Sequence, residues 1–205
     1  MSISSRITQL LERAQRRDAT AHDAREAVEL LRTCDDELAV YDLLFVIGRA
    51  QAVEYRELVQ RYLHSPGHPM HARIALQILC DWWSLGQEYR GHMIRFVVGV
   101  EWDLADGGYV QLAALSSAGE LIAEHEDPAL MRSILEVYDD PEANDVARAA
   151  AYGALWRALG RDRRKLVGLH RTDWTTRVDS TVVATARRTV AAAPAASDVS
   201  DRKDS

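Results

Sequence analysis

Three histidines carry the densest ligand chemistry in the chain. His64, His68 and His71 fall within HSPGHPMH, and three imidazoles at that spacing could hold zinc or nickel. Pro66, Gly67 and Pro69 put the first two in a connector, and no cysteine or carboxylate lies close by in sequence. The set therefore reads as loop histidines rather than a metal centre. Asp81, Trp82 and Trp83 place a carboxylate beside two indoles. Neighbouring positions on a helix point about 100° apart, so full burial of both rings is not expected. No Gly-rich phosphate loop, nucleophile elbow or Cys-x-x-Cys occurs, and Asp106-Gly107-Gly108 reads as a turn. No catalytic set and no cofactor signature follow from these residues. Cys34 and Cys80 sit inside apolar helical patterns and read as buried free thiols.

The elements that would position these residues belong to a soluble globular chain. Of 205 residues 47% are apolar, and no apolar run is long enough to span a bilayer. MSISSRITQLLERAQRR reads as a first helix and not as a signal peptide, so a cytoplasmic location is expected. Lys165 and Lys203 are the only lysines, an arginine bias that reads as GC-rich, bacterial coding. Charge is uneven: Asp35–Gly160 holds 20 acidic and 9 basic residues, whereas Arg161–Ser205 holds 10 basic and 6 acidic. An acidic body repels phosphate backbones and attracts cationic partners, so the expected partner is a protein, and a basic one, with no nucleic acid and no membrane.

Helical periodicity runs through almost the whole chain. It predicts helices at Ser4–Arg16, Ala21–Thr33, Leu38–Ile47, Val53–Leu63, Met70–Leu85, Glu88–Val100, Tyr109–Ala123, Pro128–Tyr138, Arg163–Leu169 and within Thr175–Ala193. Between them, His64–Pro69 and Glu101–Gly108 read as connectors. In DPEANDVARAAAYGALWRALG, Asp140-Pro141 reads as a start signal and Gly160 as a C-cap. The helix between them carries Val146, Arg148, Ala150, Ala151, Ala154, Leu155, Ala158 and Leu159 at helical spacing. Its small residues let it lie close to its neighbours. The tail, residues 194–205, is small and polar and is expected to be disordered.

The helix ends recur. Ile47-Gly48, Leu85-Gly86, Ala123-Glu124 and Leu159-Gly160 are separated by steps of 38, 38 and 36 residues. Each follows an apolar helix and precedes a shorter amphipathic one, and Glu54-Tyr55-Arg56 and Glu88-Tyr89-Arg90 share a tripeptide. A hairpin of this kind cannot bury its own apolar faces, so neighbours must stack. On these residues, and on the acidic turn, Val-x-Arg and Ala/Ala/Leu spacing of the 140–160 stretch, the chain resembles the HEAT-repeat family. HPMHARIALQIL and YVQLAALSSAGEL are weaker copies, and the likeness covers residues 35–169. It implies an all-α, right-handed α-solenoid of about four to five hairpins, a single domain over residues 1–193.

Members of that family mostly bind macromolecules through a concave face lined by second helices, and a small bacterial group serves as immunity or regulatory proteins. A minority are enzymes. His125-Glu126 is similar to the His-Glu pairs of HEAT-like di-iron hydroxylases, which need several such pairs where this chain has one. Asp81, Trp82 and Trp83 supply residue types used by HEAT-like DNA glycosylases, without the basic groove. The resemblance therefore favours a non-enzymatic protein-binding module, with an immunity-type inhibitor of a basic toxin as its specific form. A HEAT-like enzyme, either metal-dependent through the histidines or a glycosylase, is the alternative. The outward residues of the second helices are the expected contacts: Glu54, Glu57, Arg61, Glu88, Arg90, Arg95, Arg132 and Glu136. Trp102 and Asp103 of the EWDLAD connector complete the set. Arg161, Arg163, Arg164 and Lys165 read as a basic run suited to the negative end of the preceding helix dipole.

Overall fold

A computed structural model describes residues 2–65, 67–162 and 174–193. The expected helix at 163–169, most of the basic run (Arg163, Arg164, Lys165) and the tail at 194–205 lie outside the described residues. Among the described residues the chain is all-helical and has no strand. Eleven α-helices follow in order: α1 Ile3–Gln15, α2 Ala21–Leu31, α3 Glu37–Arg49, α4 Arg56–Arg61, α5 Pro69–Gln77, α6 Arg90–Val98, α7 Glu101–Leu104, α8 Tyr109–Glu124, α9 Pro128–Asp139, α10 Asp145–Ala158 and α11 Ser180–Ala192. Among the described residues no helix is long and apolar enough to cross a membrane.

The helices start where side chains can satisfy their free N–H groups. Ser2, Thr20, Asp36, Asp127, Asn144 and Asp179 each accept a backbone N–H of the first turn of α1, α2, α3, α9, α10 and α11. At α2 the arrangement is reciprocal, because Asp23 also accepts from the Thr20 N–H at 2.9 Å. The start of α10 differs from expectation. Asp140 accepts the Glu142 N–H at 2.9 Å and closes a turn, and Asn144 caps the helix through the Ala147 N–H at 2.8 Å. The buried stripe shifts as well: Val146 is exposed, while Ala147, Ala149, Tyr152 and Gly153 join Ala151, Ala154 and Leu155 inside. The cause is that α10 packs against both α8 and α9.

Three further elements depart from their sequence patterns. The Val53–Leu63 stretch splits into a 3₁₀ turn (Val53–Tyr55), α4 and a second 3₁₀ turn (Tyr62–His64), with no side chain capping its start. The Met70–Leu85 stretch ends in a π-helical turn over Ile78–Trp82, where the Trp83 N–H reaches back to the Ile78 carbonyl at 2.9 Å. Glu101–Gly108 is not a plain connector, because it contains α7.

α1, α3, α5, α8 and α10 pack against one another in that order. Contacts at both ends show that α3 and α5 run parallel. At the start of α3 and α5, the His71 Nε2 lies 2.8 Å from the Glu37 carbonyl. At their ends, the Trp83 Nε1–H donates to the Gly48 carbonyl at 3.2 Å. Gly48 lies within α3 and does not end it. A Cβ there would sit 2.6 Å from both Ile78 Cγ1 and Trp82 Cε3, so close packing, not capping, requires the glycine. At Gly119 of α8 a Cβ would meet the Ala154 backbone of α10 at 2.7 Å. Small residues thus let α8 and α10 approach backbone to backbone. Gly160, with φ +64°, does follow the C-cap of α10 in the left-handed region.

Candidate partner-binding surface

Side chains tie the second helices into a row. Arg56 of α4 pairs with Glu88 just before α6 at 3.5 Å, and the Tyr89 O–H donates to Gln60 Oε1 at 3.2 Å. His64 and His92 approach with their Nε2 atoms 3.4 Å apart. Between α6 and α9, Arg90 forms a two-pronged pair with Asp127, one arm at 2.8 Å from NH2 to Oδ1 and the other from Nε to Oδ2. Burial pushes the Asp127 carboxyl up, but the Arg90 hydrogen bonds and the Leu130 N–H outweigh it and hold the group below the usual carboxylate range.

This row sorts the ten expected contact residues. Glu54, Glu57, Arg61, Arg95, Arg132 and Glu136 stand exposed, and none is ion-paired with another described residue. Glu88 is exposed and shares its charge with Arg56. Arg90 is committed to Asp127, so its role is to join α6 to α9. Trp102 is half-buried, edge-on to Phe96 with centroids 6.2 Å apart. Asp103 is a correction. It is 0% exposed, and its carboxylate accepts the Val110 N–H at 2.9 Å and the Gln111 N–H at 2.8 Å. The N-cap of α8 is Gly108, which has no side chain, so Asp103 supplies the cap from α7 and cannot touch a partner.

The three histidines of the first motif do not act as a set. His71 is buried, with Nε2 against the Glu37 carbonyl. His68 meets the Glu37 carboxylate through Nδ1 at 3.2 Å. His64 faces His92, whose imidazole is held below its ordinary pKa first by burial and then by His64 and Arg95.

A cleft of about 440 Å³ opens at the C-terminal ends of α5 and α8. Asp81, Trp82, Ser117, Glu120, Glu124 and His125 are among its walls. Asp81 touches solvent, yet the surrounding atoms desolvate it and push its carboxyl up, with Glu120 adding to the effect and Ser117 and Arg157 opposing it. Arg157 and Glu120 approach to 3.6 Å. Trp82 is half-buried, edge-on to Phe45 and with the Arg49 guanidinium 4.2 Å from its ring centroid. Trp83 is buried, so the adjacent indoles do divide between core and surface. The negative ends of two helices and the carboxylates make the cleft favourable for a cationic group. The sequence singles out Asp81, Trp82 and His125 of this cleft but not Glu120 or Arg157, although Asp81, Glu120 and Arg157 are 39 and 37 residues apart, close to one repeat step each.

No protein-family model, no curated protein and no solved structure matches this chain.

Proposed function

We propose that the chain is a HEAT-like right-handed α-solenoid that works as a non-enzymatic, protein-binding module for a basic partner. Its specific form is an immunity-type inhibitor of a basic toxin in a bacterial cytoplasm. The observation that carries this reading is the row of exposed charges on the second helices, Glu54, Glu57, Arg61, Arg95, Arg132 and Glu136, none of them ion-paired with another described residue. Charged side chains with no ion-pair partner among the described residues are available to an incoming one, and the acidic excess of residues 35–160 steers a cationic protein toward them. The ordered stacking of α1, α3, α5, α8 and α10 supports the solenoid part of the reading. The test is capture from host lysate with the tagged protein at low and moderate salt. One stoichiometric basic protein, lost when Glu54, Glu57 and Glu136 are reversed to Lys, is the expected result. Partners that are acidic, or that survive the reversal, refute it.

A second reading has its own observation. Asp81, with its carboxyl raised and an indole beside it, has the character of a general acid in a cleft. Glu120 and Glu124 beside it oppose a phosphate backbone, so a glycosylase is the weaker form of this enzyme reading. Absence of duplex DNA binding at low salt removes that form.

A further inference from the structure

Seven large apolar side chains are exposed among the described residues, and they share one edge of the molecule. Ile3, Leu38, Met70, Tyr109 and Val146 occupy the first or second position of α1, α3, α5, α8 and α10. Helical side chains lean toward the N-terminus, so at these positions they project past the helix end. These helices are stacked in order; α3 and α5 run parallel, and α8 and α10 bring Gln111 and Ala147 of their first turns to one groove and Glu120 and Arg157 together further along, so the first-turn apolar side chains of these layers line a common edge. The remaining two, Val98 and Leu104, close α6 and α7, which end on that edge as well.

On this edge the α6–α8 and α9–α10 connections meet. A groove of about 270 Å³ lies there, with Val98, Leu104, Val137 and Ala147 in its walls and Asp140 and Glu142 at its rim. Val98 is 56% exposed and Leu104 48%, with Tyr109 at 45% and Val146 at 57% on the adjoining first turns. The volume takes one or two side chains rather than a whole ligand or helix. Neighbouring charge is acidic: Asp145 and Asp106 are exposed, and Asp140 uses its carboxylate only on the nearby Glu142 N–H. The nearby arginines are occupied, Arg148 on the Tyr138 carbonyl and Asp145, and Arg187 on Asp139 at 2.7 Å.

The geometry points to this groove as the anchor site for a short segment of a basic protein, one bulky apolar side chain seated between Val98 and Leu104 with flanking arginine or lysine on Asp140 and Glu142. Charge complementarity selects that occupant, because a second copy of this chain would bring its own acidic edge against this one. The inference rests on the basic-partner reading and assigns the anchor to a surface separate from the second-helix row.

The probe is a displayed library of random dodecapeptides selected against the full chain, with enriched peptides then labelled and titrated by anisotropy. The expected consensus is a single Leu, Ile, Phe or Trp flanked by basic residues. Leu104→Lys and Val98→Lys should each weaken binding at least about tenfold with unchanged thermal stability. Glu12→Gln, on the exposed face of α1 away from both surfaces, should leave it unchanged. Enriched peptides that are acidic, or that lose affinity in Glu54→Lys and not in Leu104→Lys, overturn the groove assignment; in the latter case the basic-partner reading stands. A library that yields no binder also overturns it, and lysate capture then tests the broader reading by itself. Self-association that disappears in Leu104→Lys would make the occupant a second copy and equally overturn the proposal.

Discussion

Replacing Asp103 with alanine should unfold the molecule more easily and not merely weaken a contact. The carboxylate is 0% exposed and serves two backbone N–H groups, Val110 at 2.9 Å and Gln111 at 2.8 Å. Gly108 offers no side-chain substitute at the start of α8. Each buried donor left unmet costs about 1–3 kcal/mol, and loss of a helix N-cap costs about 0.5–2 kcal/mol by direct measurement in other helices. The two descriptions overlap, so about 2–4 kcal/mol is the expected loss for Asp103→Ala. For a chain of this size, 3 kcal/mol lowers Tm by roughly 6–12 °C. Asp103→Asn keeps one acceptor oxygen and turns an N–H₂ toward the second amide, so it should lose about half as much. Thermal melts followed by circular dichroism measure the global effect. Hydrogen exchange at the Val110 and Gln111 amides locates it, with faster exchange there than in α10. An alanine variant within about 0.5 kcal/mol of the parent would refute the capping argument, as would normal stability with lost partner capture.

Other expectations follow from single contacts. Gly119→Ala forces a Cβ to within 2.7 Å of the Ala154 carbonyl and should cost about 1–3 kcal/mol in denaturant unfolding, and Gly48→Ala, whose Cβ would meet Ile78 and the Trp82 ring at 2.6 Å, should cost a similar amount. A double-mutant cycle on Arg90 and Asp127 should give a coupling of about 1–2 kcal/mol, reduced because Arg90 is partly exposed. Since the Asp127 pKa is lowered on folding, the stability it adds is complete above the unfolded carboxylate range and is lost as pH falls through the folded value; Asp127→Asn should flatten the acid limb of the stability curve. His92 is also lowered, so its effect is to remove stability as pH falls below its unfolded value near 6.5, and His92→Gln should reduce the loss between about pH 7 and pH 5.

Helix identity was legible because the evidence for it is local. Apolar spacing acts within a few residues, whereas the cap of α10, Asn144, was not the expected Asp140. The expected step of 38, 38 and 36 residues is not the spacing of the observed ends: α3 runs to Arg49, α5 stops at Gln77 before a π-helical turn, and α8 ends at Glu124. The failures come from tertiary partners. Asp103 sits in a polar, acidic connector and looks like surface; only the unfilled cap of α8, several residues on, draws it inside. Gly48 looks like a stop signal, but its cause is the Trp82 ring of the next layer. Arg90 has an outward position on its own helix and is claimed by Asp127, 37 residues away.

The same stacking that these glycines permit makes the two edges of the molecule chemically different. At the C-terminal edge, helix dipoles add negative charge to a cleft already holding Asp81, Glu120 and Glu124, and Trp82 is held there by Phe45 and Arg49. At the N-terminal edge, the Asp36 and Asp103 carboxylates offset the positive dipole ends of α3 and α8, and exposed apolar side chains stand beside further acidic ones. A cation alone is suited to the first edge, whereas an apolar side chain with basic neighbours is suited to the second. Salt separates them: binding at the cleft should fall steeply as ionic strength rises, while binding at the Val98–Leu104 groove should retain an apolar part that salt does not screen. Titration of one selected peptide across ionic strength therefore assigns the edge even before any side chain is replaced.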